Sequence, residues 1–280
     1  MKPFNEKTLL EPFFLDGDKG KLFTIYFAPE SGNPDLGILY VPPFADEMNK
    51  SRRQAYELAQ RLSSLGASML VVDLYGTGDS QGDFHDARLG AWLSDLQRGF
   101  DWLVSRGVKK VVVLGVRFGG LLAARLAQEL DSSVAKLVIW QPVINGSNYI
   151  NQLLRLRSAA DMMAGKGDMS TKALRQKIAE GEVLEIAGYE VHPDLVSGIE
   201  KLDLRQLKFD KSILVDWFEV STNPNYSVGA FAKQAIQSWE DRGATVNVQI
   251  VMGELFWSAP ETSVVEELVQ LTGESVRAIR

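Results

Sequence analysis

The chain has 280 residues, a length that suits one large α/β domain with an insertion, a hydrophobic content of 45%, as in an ordinary globular protein, and no cysteine, which excludes disulfides, thiol nucleophiles and Cys-ligated metals. Thirty basic against thirty-six acidic residues give a net charge of −6, which argues against nucleic acid and anionic membranes as partners. No run reaches the roughly 18 apolar residues of a membrane span, and the opening MKPFNEKTLLEPFF lacks the continuous apolar core of a leader peptide, so a cytoplasmic protein is expected.

Residues 13–28 read as a β-hairpin, with a turn at 16–20 between two apolar runs. A buried strand follows at 36–44, ending on Pro42-Pro43, then a helix over 49–65 with Tyr56, Leu58, Ala59, Leu62 and Leu65 on one face and Gly66 as its stop. The next strand is 68–74. Strand, helix and strand joined by short links predict a parallel sheet. The Gly- and Asp-rich stretch 73–84 marks a tight ordered loop, and a helix over 91–104 leads to the strand at 111–114.

That strand runs into Gly115-Val116-Arg117-Phe118-Gly119-Gly120 and then into a helical stripe at Leu121, Leu122, Arg125, Leu126 and Leu130. Strand, glycine-rich turn and helix form the GxSxG elbow that presents a nucleophile, with glycines where strand and helix approach too closely for a Cβ. Arg117 stands where the serine should be. A guanidinium stays protonated and has donors but no acceptor, so it neither attacks a carbonyl nor takes a proton.

A further buried strand is expected at 135–143, after which strand–helix alternation stops. Residues 145–210 read as a helical cap inserted into a core made of 1–144 and 211–280, with an apolar run at 183–191 able to add a hairpin. Its Arg155, Arg157, Lys166, Lys172, Arg175 and Lys177 are read first as a solvated face and second as an anion-binding lid. Sheet rhythm resumes at 212–220, a helix at 228–242 ends at Gly243, and the last strand is 245–252. The last helix is expected over 260–271, starting on Pro260, with GESVRAIR as a frayed tail.

Over nearly its whole length the chain resembles the α/β-hydrolase superfamily, carried by GVRFGG at 115–120, DLYGTGDSQG at 73–82 and the order of elements around them. The strings YVPPFADEMNKSRR at 40–53 and GELFWSAPE at 253–261, with the arginine elbow, look like the exosortase A system-associated hydrolases, second type, which accompany bacterial exopolysaccharide and protein-sorting loci. The resemblance implies an α/β-hydrolase fold, with a mostly parallel central sheet, helices on both faces and a helical cap. It places Arg117 at the nucleophile position, Glu219 at the acid position with Asp216 as second candidate, and Glu254 at the base position. The oxyanion donors it implies are the backbone N–H groups of Phe44 and Phe118.

A Ser-His-Asp relay needs an acceptor nitrogen beside a hydroxyl, and the two histidines, His85 and His192, lie in a polar loop and in the insertion. Both are read as surface residues. The first reading joins Arg117, Glu219 and Glu254 in an ion-paired plug, giving a non-catalytic binding or assembly component. The second makes Arg117 with the Phe44 and Phe118 N–H groups an anion pocket for a carboxylate, phosphate or acyl ligand, with water activated by Glu219 or Glu254. An esterase using Ser80 or Ser258 is the weakest, since neither serine lies in an elbow. Trp217 and Trp257 are read as core or pocket lining. No cofactor or metal is expected, and a protein partner stays open.

Overall fold

A computed structural model of the chain describes residues 10–30, 34–165, 170–209 and 212–279. The N-terminal nine residues and Lys166 lie outside them. Ten strands and eight helices follow one another among these residues: β1 (Leu10–Asp16), β2 (Lys21–Phe27), β3 (Leu36–Val41), α1 (Asp46–Ser64), β4 (Ser68–Val72), α2 (Leu89–Ser105), β5 (Lys110–Val116), α3 (Phe118–Leu130), β6 (Val134–Trp140), α4 (Gly146–Met163), α5 (Thr171–Ala179), β7 (Leu184–Ile186), β8 (Tyr189–Val191), α6 (Pro193–Glu200), β9 (Leu214–Ser221), α7 (Ala230–Glu240), β10 (Thr245–Met252) and α8 (Glu266–Arg277).

Eight of the strands form one sheet in the order β1-β2-β4-β3-β5-β6-β9-β10. The pairs β1–β2 and β2–β4 are antiparallel, and every later pair is parallel. The strand β5 shows why the sheet is central. Val111 and Val113 point into the layer of α2, α3 and the segment between β6 and β9, whereas Val112 and Leu114 point into the layer of α1 and α8. A strand buried on both faces needs apolar residues at both phases of the pleat, which KVVVLGV supplies.

Between β6 and β9 the chain forms α4, α5, the antiparallel β7–β8 hairpin and α6. Gly198 on α6 lies so near α2 that a Cβ there would come within 2.9 Å of Leu89 Cβ. The basic residues of this segment are largely spent locally: Arg157 pairs with Asp161, Arg175 with Glu200 and Lys177 with Glu182.

Several boundaries differ from the sequence expectation: the strands expected at 36–44 and 135–143 already end at Val41 and Trp140, and three differences lie in the helices. The helix α1 starts at Asp46, three residues before the predicted start, with Asp46 and Glu47 in its first turn. The last helix starts at Glu266 and not at Pro260. The preceding stretch is held extended against α1, where Gln54 donates to the Val265 carbonyl at 3.2 Å and accepts from the Val265 N–H at 2.8 Å. Residues 273–277 of the expected frayed tail are instead the last turn of α8, because Gly273 and Val276 are buried and Ser275 binds Lys136.

Candidate functional site

At the end of β5 the chain turns sharply into α3 through Arg117, whose φ of 55° and ψ of −121° lie in a left-handed region that costs free energy for a residue with a Cβ. The turn is pinned by its neighbours. The Arg117 N–H donates to the Trp140 carbonyl at 2.9 Å, and the Arg117 carbonyl accepts from Gly120 and Val143. A Cβ at Gly115 would sit 2.2 Å from the Gly119 oxygen, and one at Gly119 would sit 2.4 Å from the Pro42 oxygen. The glycines therefore let β3, β5 and α3 converge on one point, with the residue 117 side chain held above it.

The Arg117 side chain is folded in, only 15% exposed. Its Nε donates to Glu47 Oε1 at 3.3 Å and its Nη1 to the Gln141 carbonyl at 3.3 Å, and the guanidinium lies 5.2 Å from the centre of the Trp257 ring. Glu47 stands in the first turn of α1, where the helix dipole favours a carboxylate. Burial raises its pKa and the Arg117 charge opposes that shift. Tyr149 from α4 closes over the pair: burial pushes its phenol well above the usual value, with Glu47 adding to the shift and Arg117 opposing it.

Glu219 and Glu254, expected to flank Arg117, do not pair with it. Glu219 is buried at the end of β9, with Oε1 accepting from Trp217 Nε1 at 2.7 Å and Oε2 from the Tyr226 hydroxyl at 2.9 Å. Its pKa is raised by burial, against which those two donors and the Arg117 charge work. Glu254 is exposed after β10 and has no ion pair among the described residues. Asp216 is engaged elsewhere, bonded to Lys136 at 2.6 Å. The link between the elbow and Glu219 is Gln141, at a φ of 43°, whose carbonyl accepts from Arg117 while its Oε1 accepts from the Val220 N–H at 2.6 Å.

The two residues expected to supply oxyanion donors, Phe44 and Phe118, have their rings 5.6 Å apart beside the elbow. Among the described residues neither the Phe44 nor the Phe118 N–H meets a protein acceptor. The Phe44 ring lies 5.4 Å from Phe84, 6.0 Å from Trp92, 5.6 Å from Phe118 and 5.9 Å from Tyr149. Phe118 and Tyr149 stack at 5.6 Å with 6° between their planes. These rings form one packed aromatic cluster beside the elbow. Three cavities, of about 200, 580 and 760 Å³, occur elsewhere, and none is lined by Arg117, Phe118, Glu47, Glu219 or Glu254.

The other polar candidates have structural duties. The Ser80 hydroxyl donates to the Asp73 carbonyl and accepts from the Phe23 N–H. Ser258 bonds the Leu255 carbonyl in an exposed turn. His192 caps α6 by accepting from the Asp194 N–H at 3.0 Å, and His85 lies beside Asp86 and Glu190. Asp83, His85 and Asp86 bring potential ligand atoms within 4.8 Å of one another, but Asp83 and Asp86 are already a reciprocal cap of a short 3-10 turn. Trp257 reaches the site beneath Arg117, while Trp217 is core, 5.8 Å from Trp239, and supports Glu219.

This sheet order, with a strained elbow at its centre, defines an α/β-hydrolase fold. Residues 45–189 match the family model Hydrolase_4, serine aminopeptidase S33, and the chain belongs to that family. Among curated proteins it is similar to the mitochondrial palmitoyl-protein thioesterase ABHD10 of Bos taurus, with 27% identity over 183 residues, 65% of this chain and 58% of that protein. The chain thus spans somewhat over half of that relative's length. Among solved structures it is similar to a putative hydrolase from Agrobacterium vitis, at a TM-score of 0.66 and 19% identity, covering 97% of this chain and 98% of that one. Est1E from Butyrivibrio proteoclasticus gives a TM-score of 0.63 at 14% identity, with 95% and 96% covered. Mouse α/β-hydrolase domain-containing protein 10 gives 0.60 at 14%, with 96% and 98% covered.

Proposed function

We propose that this chain is a non-catalytic member of its family, in which an Arg117–Glu47 ion pair under a lid of aromatic rings takes the place of nucleophile and base, and that it works by binding an acyl ligand or a protein partner. The observation that carries this reading is the occupied elbow: Arg117, only 15% exposed, donates to Glu47 and to the Gln141 carbonyl and packs against the Trp257 ring. Glu47 also balances the Arg117 charge, which weakens the elbow as an anion site. The acyl ligand class rests on the name of the bovine relative, a palmitoyl-protein thioesterase. A link to bacterial exopolysaccharide and exosortase systems rests on the strings at 40–53 and 253–261.

A second reading, hydrolysis by a water activated at Glu219, is favoured by one observation, the upward shift of that carboxyl on burial. It ranks lower because both Glu219 oxygens already accept hydrogen bonds. Turnover of a panel of short- and long-chain acyl esters and thioesters separates the two. The expected result is no hydrolysis above background. Turnover that is lost in Glu219→Gln would overturn the non-catalytic reading and establish the second.

A further inference from the structure

On the sheet face under α1, away from α2 and α3, lies the cavity of about 200 Å³. Ile25, Phe27, Met48, Ala55 and Val71 give it apolar walls, and Leu10 stands at its rim. At its polar end the hydroxyl of Tyr40, from β3 and only 2% exposed, is buried without a hydrogen-bond partner among the described residues. Buried hydroxyls are nearly always partnered, so a free one in a cavity wall marks a place where a ligand atom fits.

The charge around that hydroxyl decides what atom it is. Arg52 lies close enough for its charge to act on the phenol, yet burial dominates and holds Tyr40 in the neutral, donating form. Arg52 is itself neutralised by Asp73, at 3.0 Å, and the same Asp73 oxygen accepts from the Asp79 N–H at 3.1 Å. A second carboxylate at this end would face the buried Asp73, whereas an uncharged acceptor faces only the O–H. The volume sets the size: a cavity of about 150 Å³ accommodates benzene, so this one suits a substituted single ring or a chain of roughly six carbons.

Ile25, Met48 and Arg52 also line the open groove of about 760 Å³ that runs past Thr77, Asp83 and Tyr189. An occupant therefore has room to continue from the apolar end into a polar channel, with its acceptor at the junction. We infer that the cavity is a binding site for the acyl or aryl end of an uncharged ester, amide or ketone, whose carbonyl oxygen accepts the Tyr40 hydroxyl. The site lies on other residues than the elbow and holds whether or not the elbow is catalytic.

Titration of acetophenone, ethylbenzene and benzoate into the wild-type chain and into Tyr40→Phe and Ala55→Leu, followed by calorimetry, tests the assignment. Acetophenone should bind wild type about tenfold more tightly than ethylbenzene, an advantage of about one hydrogen bond, with benzoate the weakest. That advantage should fall to within about twofold in Tyr40→Phe while ethylbenzene binding persists, and Ala55→Leu, which fills the cavity, should weaken all three. Equal binding of acetophenone and ethylbenzene to wild type, an advantage that survives in Tyr40→Phe, tightest binding of benzoate, or no saturable binding would each overturn it.

Discussion

Arg117 Nε lies 3.3 Å from Glu47 Oε1, joining the elbow to the first turn of a helix 70 residues earlier in the chain. The pair explains why restoring a serine would not restore a hydrolase. Arg117→Ser strands Glu47 beside the Tyr149 phenol, and both histidines remain committed elsewhere, His192 as a helix cap. The expected outcome is ester turnover at background and a loss of about 2 kcal/mol in urea unfolding, below the full cost for a deeply buried pair because both side chains keep some exposure.

The elbow glycines give a sharper prediction. Gly115→Ala puts a Cβ where the Gly119 carbonyl oxygen stands, 2.2 Å away, and both are backbone positions with little room to move. A loss above about 3 kcal/mol is expected by denaturant unfolding, with precipitation on expression as its coarse sign.

These two positions differ in how far the sequence reveals them. Gly115 and Gly119 are local, and the pattern of strand, turn and helix is enough to place them. Glu47 is legible only in part. Reading the helix as 49–65 leaves Asp46 and Glu47 in a loop, although two acidic residues ahead of a periodic stretch are themselves a start signal. Placing the helix start at Asp46 would have set a carboxylate next to the expected oxyanion donor Phe44 and made it a candidate partner for Arg117. The positions expected from the resemblance, Glu219 and Glu254, are spaced along the chain as in a triad, but ion pairing follows three-dimensional reach. Trp217 and Tyr226 bind Glu219 first, and Glu254 stays in solvent. The shifted start of α8 has the same origin, since no local rule anticipates that Gln54 holds Val265 extended.

A second buried pair is structural and lies away from the elbow. Lys136 on β6 bonds Asp216 on β9 at 2.6 Å and Ser275 of α8 at 3.1 Å, and Asp216 also accepts from Ser275 and from Asn247. Lys136→Met should cost about 3 kcal/mol, because Asp216 is left buried with only neutral donors in place of its ammonium partner. Adding Asp216→Leu should recover most of that loss in thermal or urea unfolding.

Asp95 on α2 supplies a pH signature. It accepts the Tyr75 N–H at 2.9 Å, but burial pushes its pKa from 3.8 up to about 6. The folded state therefore binds more protons than the unfolded chain between these values. The stability contributed by the protonated acid is fully present below pH 3.8 and is lost as pH rises through about 6. Asp95→Asn keeps an acceptor for Tyr75 and removes the charge. Its stability relative to wild type should rise by about 2 kcal/mol between pH 4 and pH 7, read from unfolding midpoints across that range.

The central claim, that the elbow holds an ion pair in place of a catalytic relay, is tested most directly by a double-mutant cycle on Arg117→Met and Glu47→Leu in urea unfolding. A coupling energy of about 1–3 kcal/mol is predicted, with the double variant more stable than Glu47→Leu alone. Coupling near zero, with the two losses simply additive, would contradict it.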